Sequence, residues 1–468
     1  MVPERKNWLV EHLGPVLVCG FAAAIAAWVA WFITHLPWLG LQEQVSLPAI
    51  VVTWIAVLTV VLGRLGQVDF RTSVGAGLVS AVPGLLLLGT RLAQPANASG
   101  VSQGLVPSAG IIIAGFLVFA IAIGTVAGLL ARLIAPAASG NPTSSGESRL
   151  WQARFALVAC VAIFPLLLVG GLVTSTNSGM AVPDWPQTYG SNMFLYPLGT
   201  RIHEVVGKPY EQVFLEHSHR LFGALVGLTT LVLMVWVLLK DSRKWVKGVA
   251  IAAFVLVCFQ GVLGGLRVTE NSRPFALVHG VLAQLLFALV VSLAVVLSPT
   301  FLAGLPVAGS LAIDALQAKR AKVFTAATLH TLILQLLLGA AYRQFRHIHI
   351  LYTHVALSLV VMVLGAIAGI TCGTIAPATG PIGRTVSRVG TWLLVIVVIQ
   401  FLLGWVAFVA GGRTLTPETD LQAIVRTVHQ GNGALLLGLA TAAHVWARRL
   451  KAAAGQTPLA APATGFAA

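Results

Sequence analysis

Twelve predominantly apolar stretches, most of about 20 residues or more, run along this 468-residue chain, at roughly 14–35, 46–63, 72–90, 109–133, 153–174, 215–239, 245–266, 275–297, 323–342, 350–371, 390–410 and 424–446. Each is long enough as a helix to cross a hydrocarbon layer about 30 Å thick. In lipid the backbone must satisfy its own polar groups, which leaves helices as the economical solution for runs of this length. The pattern therefore predicts an all-α integral membrane protein with about 12 transmembrane helices. With 57% hydrophobic and 9% charged residues and a mean hydropathy of +0.90, the chain has too little polar surface to cover a water-soluble globule of this size.

A net charge of +15 raises nucleic acid as a partner, but the basic residues sit in short clusters between apolar runs rather than along one stripe. They read as topology, because basic loops stay cytoplasmic. Arg5 and Lys6, Arg64 and Arg71, Arg132 with Arg149 and Arg154, Lys240 to Lys247, Lys319 to Lys322, Arg384 with Arg388, and Arg448 to Lys451 all fall on one side of an alternating chain. Both termini are expected on the cytoplasmic face. Arg201, Arg267, Arg273, Arg343, Arg346 and Arg413 fall on the other side, and some of these are candidates for binding an anionic ligand. The start, with Arg5 and Lys6 ahead of a spanning run, lacks an Arg- and Ser-rich amphipathic presequence, so a bacterial plasma membrane is the expected location. The four cysteines lie in or at the ends of apolar runs and read as packing residues.

Around 135–150 the composition turns to Pro, Ser, Gly and Asn, the mark of a linker. It divides a four-helix N-terminal extension, 1–134, from an eight-helix core. Within the core Gln-x-x-Leu-Gly recurs at Gln260 to Gly264, Gln335 to Gly339 and Gln400 to Gly404, each time late in an odd-numbered helix of the core. Two four-helix halves follow, 151–300 and 301–450, with a tail at 451–468. Halves with an even number of crossings share orientation and are expected to be related by an axis along the membrane normal.

Four of the twelve histidines occupy equivalent places in that repeat. His219, His279, His354 and His429 each lie a few residues into the outer end of an even-numbered core helix, at similar depth by the 1.5 Å rise per residue. Two per half is the stoichiometry of bis-histidine haem ligation. The plain alternative is that each hydrogen-bonds to a neighbouring helix, but intramembrane ionisable residues are costly and usually functional. His330, His12, His35 and His444 lack the symmetry and read as structural; His217, His347 and His349 are nearer rivals. Glu216 precedes His219 by three residues and shares its helix face, placing a carboxylate within reach of whatever His219 binds, or simply in a helix first turn. Arg220 is placed to pair either with Glu216 or with a haem propionate.

The string Glu216-His-Ser-His-Arg220, the segment Gly170 to Gly179 continuing through Asp184-Trp-Pro186 to Gly190, and the motifs Gln260 to Arg267, Val278-His-Gly280, Tyr352-Thr-His354 and Val428-His-Gln430 together resemble the haem A synthase family over about Arg149 to Arg449. The resemblance implies an eight-helix core of pseudo-symmetric halves and oxidation of the C8 methyl of haem O to the formyl of haem A. It implies that His219 and His279 ligate the substrate or product haem, that His354 and His429 ligate a resident haem b, and that Glu216 is the functional carboxylate. Haem O synthase, a membrane redox partner and terminal oxidase assembly are its implied partners. Ala181 and Thr188 stand where some members have cysteines, and Thr174 where others have Arg. The four N-terminal helices have no counterpart in the family core, which points to a stabilising, docking or regulatory role. A di-haem electron carrier would use the same four histidines, and a haem transporter is also commonly built of repeated halves. The asymmetric placement of Glu216 favours a chemical site, and the histidine-bearing helices lack the interior prolines expected of broken transporter helices.

Overall fold

Each apolar run forms a helix that extends past the run into its polar flanks, as expected when only the hydrophobic middle is confined to lipid. The computed structural model describes residues 8–94, 104–135, 145–198, 207–302, 315–375, 380–410 and 419–454. Twelve long helices lie in these segments: α1 Trp8–Thr34, α2 Glu43–Arg64, α3 Phe70–Leu92, α4 Ala109–Ile134, α5 Ser145–Ser175, α6 Tyr210–Lys240, α7 Lys244–Thr269, α8 Arg273–Leu297, α9 Ala315–Phe345, α10 Ile348–Gly373, α11 Gly380–Ala410 and α12 Asp420–Ala454. Eleven are long and apolar enough to cross a membrane. The twelfth, α12, has more polar residues, among them Arg426, His429, Gln430 and Asn432. Most of the expected linker, the tail beyond 454, Arg201 and Arg413 lie outside the described residues.

The protein is thus an all-α, multi-pass membrane protein, and its exterior shows why. Leu133, Ile111, Val409 and Leu239 are among the most exposed large apolar side chains, an arrangement that costs nothing where the solvent is lipid. Local chemistry places the helix ends: Asp69 accepts from Thr72 N (2.9 Å) to start the Gly-rich α3, and Arg243 returns to Asp241 just after α6.

The chain divides into two compact units, 1–279 with 416–427, and 280–415 with 428–468. In the first, α1 packs against α2, α3 and α5, α4 packs against α2 and α3, and α6 packs against α5 and α7. The N-terminal helices therefore join the first helices of the core. Aromatic contacts carry the junction: Phe21 on Phe155 (5.2 Å), Trp28 on Phe222 (5.5 Å) and Phe32 on Phe214 (5.7 Å). A cavity of about 410 Å³ lies among α1 to α4, lined by Trp28, Trp31, Trp54 and Phe116 and reaching the Glu43–Arg91 ion pair. In the second unit α10 packs between α9 and α11, over a core that includes Leu332, Val361, Leu393, Val397 and Leu436.

Candidate functional site: two facing imidazole pairs

The four symmetric histidines lie on α6, α8, α10 and α12, and the structure brings them together in twos. His219 faces His279 with ring centres 6.3 Å apart and planes at 83°. His354 faces His429 at 6.5 Å and 80°. Each pair falls within one compact unit. Two imidazole nitrogens each about 2 Å from one metal ion put the ring centres roughly 6 Å apart, so the spacing fits a metal held between them. Among the described residues no group of three or more His, Cys, Asp or Glu forms a metal cage. Two facing ligands suit a metal whose remaining positions are filled by a macrocycle.

A glycine backs every ring. A methyl group at Gly170, Gly264, Gly339 or Gly404 would lie 3.0, 3.3, 3.0 and 3.3 Å from Cε1 of His219, His279, His354 and His429 respectively. The preceding helix must come this close for the imidazole to lie flat against it, and only glycine leaves the room. Three of these glycines end the Gln-x-x-Leu-Gly repeat. The fourth, Gly170, ends Leu166-Leu-Leu-Val-Gly170, a version without the glutamine, which is why the repeat is legible three times in the sequence and four times in the structure.

The glutamines differ between the pairs. His354 Nδ1 donates to the Gln335 carbonyl (3.1 Å), and the Gln335 amide donates to the His354 carbonyl (2.9 Å). Gln400 Nε2 lies 3.2 Å from His429 Nδ1, and Gln400 Oε1 accepts from Asn432 Nδ2 (2.8 Å). The Gln335 carbonyl holds His354 as the Nδ1–H tautomer with Nε2 free to ligate, whereas the Gln400 amide, lying along the edge of the His429 ring, orients that ring without fixing the same tautomer. Around the first pair the side-chain partners are missing: His279 has only the Gln260 backbone beside it, and His219 Nδ1 and both polar atoms of the Gln260 side chain are buried without partners.

Glu216 is buried at 4% exposure, one helical turn before His219. Its Oε2 accepts from Val182 N (2.8 Å) and its Oε1 pairs with Arg220 (2.9 Å). Of the two partners open to Arg220 on sequence, the structure shows Glu216. Arg220 also donates to the carbonyls of Val182 (2.9 Å), Asp184 (2.6 Å) and Gln187 (2.8 Å). Together they fasten the outer segment that follows α5 to the helix carrying His219. Asp184 closes that segment by accepting from Tyr189 N and Gly190 N. The Tyr189 hydroxyl donates to Ala181 O. Burial, with Glu216 and Asp184 nearby, pushes this hydroxyl up to about 12, so it remains a donor at neutral pH. Ala181 and Thr188 are both buried in the segment, and Trp185 lies where a methyl at Gly265 would come within 2.5 Å.

The rival histidines have other surroundings. His217 turns to Thr188 Oγ1 (3.3 Å) and the Tyr196 ring (5.3 Å). His347 and His349 are exposed. His330 bonds within its own helix to Ala326 O, and His444 bonds to Thr325. Asn432 is not singled out by the sequence, and Arg267 enters there only as one of six outer-side arginines open to an anionic ligand and as the end of the Gln260 to Arg267 motif. The i+3 spacing of Asn432 from His429 and the seven-residue spacing of Arg267 from Gln260 are the signals that would have found them.

Fold and site thus define a polytopic helical membrane protein that carries two facing imidazole pairs on repeated helices. Residues 153–356 match the family described as cytochrome oxidase assembly protein, a span that contains His219, His279 and His354 and ends before His429. The chain is 31% identical over 141 residues to a haem A synthase of Alkalihalophilus pseudofirmus, covering 29% of this chain and 43% of that protein. It is 30% identical over 151 residues to one of Halalkalibacterium halodurans, covering 32% and 45%. To one of Nitrosomonas eutropha it is 25% identical over 128 residues, covering 23% and 35%. The matches therefore span less than half the length of these relatives. No solved structure matches the chain. Over residues 153–356 the chain is similar to cytochrome oxidase assembly proteins, and the relatives that it matches in part are haem A synthases.

Proposed function

We propose that this protein is a haem A synthase, oxidising the C8 methyl of haem O to the formyl of haem A in a bacterial plasma membrane with both termini cytoplasmic. The observation that carries the reading is the pair of opposed imidazoles in each unit, 6.3 and 6.5 Å apart, at the spacing a shared metal requires. In this reading His219 and His279 hold the substrate haem, and His354 and His429 hold a resident haem b. The bound haem b supplies one-electron redox chemistry tuned by its axial ligands.

The protein's own residues do the rest. Glu216 handles the proton at the reacting edge; Val182 N–H and Arg220 hold its two oxygens in fixed positions, one helical turn from His219. The folded segment from Thr176 to Leu198 covers that end of α6 and limits water there, a function suited to a site that generates reactive species. Haem O synthase is the natural donor of so apolar a substrate, terminal oxidase assembly the consumer, and a membrane redox carrier the acceptor of the four electrons released, with four protons, as one oxygen atom from water enters the methyl carbon.

Pigment extraction from the purified full chain tests this reading. Haem b together with haem O or haem A is the expected result. Two equivalents of haem b alone would make the protein a di-haem electron carrier, and absence of haem after expression with ample haem supply would overturn both.

A further inference from the structure

The first imidazole pair is bordered by a helix face on which three buried side-chain polar atoms have no protein partner. Gln260, Gly264 and Arg267 stand at i, i+4 and i+7 on α7 and so share one side of it. Gly264 fixes which side that is, because a methyl there would meet His279 Cε1 at 3.3 Å. On this face Gln260 Nε2, Gln260 Oε1 and Arg267 Nε are buried without hydrogen-bond partners, as is the adjoining His219 Nδ1. Native proteins rarely leave so many buried polar atoms unpaired in one place unless a ligand completes them.

Arg267 is seated deliberately. Its Nη2 donates to Gly179 O (3.0 Å), and a methyl at Gly179 would fall 1.9 Å from that same Nη2. The nearby charges are Glu216 and Arg220, and Glu216 is already paired with Arg220. Arg267 therefore keeps a positive charge that calls for an anion. Arg220, by contrast, spends its terminal nitrogens on Glu216 and three carbonyls. The second pair differs: the amides of its glutamines are engaged by His354, His429 and Asn432, with Gln335 Oε1 alone left unpaired, and Tyr342 and Ala407 stand where Arg267 does.

We propose that this face of α7 recognises the edge of the porphyrin, with Arg267 binding a propionate carboxylate and Gln260 binding an oxygen substituent on the opposite side of the ring. Seven residues of helix separate the two by about 10 Å along the axis, the scale of a tetrapyrrole. The inference rests on reading His219 and His279 as a haem site.

The test uses the full chain carrying His354→Ala, so that uptake reports on the first pair, titrated with haem b and with its dimethyl ester while the bis-imidazole absorption band is followed. A charge-assisted hydrogen bond corresponds to about a tenfold or greater preference for the free acid. That preference is expected in the parent, to vanish in Arg267→Gln, and to survive in part in Arg267→Lys, the variant that keeps the measurement possible if Arg267→Gln does not fold. Equal binding of acid and ester by the parent, or an undiminished preference in Arg267→Gln, overturns the proposal while leaving the haem site standing. Unchanged uptake after His219→Ala removes the haem site itself. For Gln260, the parent is expected to bind haem O more tightly than haem b and Gln260→Leu to bind them alike; a preference that persists in Gln260→Leu removes Gln260 from the recognition face.

Discussion

The two imidazole pairs have almost the same spacing but different support. His354 and His429 are braced by Gln335, Gln400 and Asn432. His219 and His279 sit on the same kind of glycine platform with no side chain bracing either ring, beside a fastened outer segment and a buried carboxylate. A braced ring has one orientation and suits a group that stays. An unbraced ring adapts, at the expense of affinity, and suits a group that comes and goes.

The sharpest way to break this comparison is to remove ligands. His354→Ala or His429→Ala is expected to abolish the haem b retained through purification, and His219→Ala to abolish bound haem O while sparing haem b, both read from extracted pigments. Loss of both haems from either variant would mean that the pairs do not act separately. Next in size, Glu216→Ala should keep haem O bound but form haem A on the order of 100-fold more slowly or not at all, the usual scale for a lost proton-transfer group. Normal conversion would strip Glu216 of its role.

Bracing is tested by Gln400→Leu and Asn432→Leu, each expected to weaken haem b retention about 10- to 100-fold, the range seen when an outer-shell partner of a metal ligand is lost, and to shift its midpoint potential. An unaltered potential and retention would reduce these residues to packing. Gly339→Ala should cost about 1–3 kcal/mol through overpacking against His354, seen as a lower Tm together with a perturbed haem b spectrum; an unperturbed spectrum would separate the glycine from the ligand. The smallest effect belongs to the outer segment. Tyr189→Phe, losing the bond to Ala181 O, should destabilise it by about 1 kcal/mol, measured as faster proteolysis between Thr176 and Leu198. The raised Tyr189 hydroxyl carries the same sign: its contribution is complete below the ordinary tyrosine value near 10 and is lost as pH climbs through about 12. A segment whose protease resistance is flat across that window, or equal in Tyr189→Phe, would show that Tyr189 does not hold it.

Much of this was legible from sequence, because membranes impose one-dimensional rules. Apolar length alone placed the twelve helices, and α12 falls short on apolarity because it carries Arg426, His429, Gln430 and Asn432 among its polar residues. The expectation that His219, His279, His354 and His429 form two equivalent pairs came from repeat register, since fixed rise converts residue count into height, and the structure shows each pair facing within its own unit. Direction around the helix axis and the partner across a gap are three-dimensional, and there the sequence left choices open. It offered Arg220 either Glu216 or a propionate, and only folding of the outer segment brings Val182, Asp184 and Gln187 to that guanidinium. It set the N-terminal extension apart by composition, whereas packing of Phe21 on Phe155 and Trp28 on Phe222 joins it to the core helices. Nor does any spacing tell that Gln260 stands unpaired where Gln335 and Gln400 are engaged: hydrogen bonding depends on ångström-scale positions that equal motifs do not share.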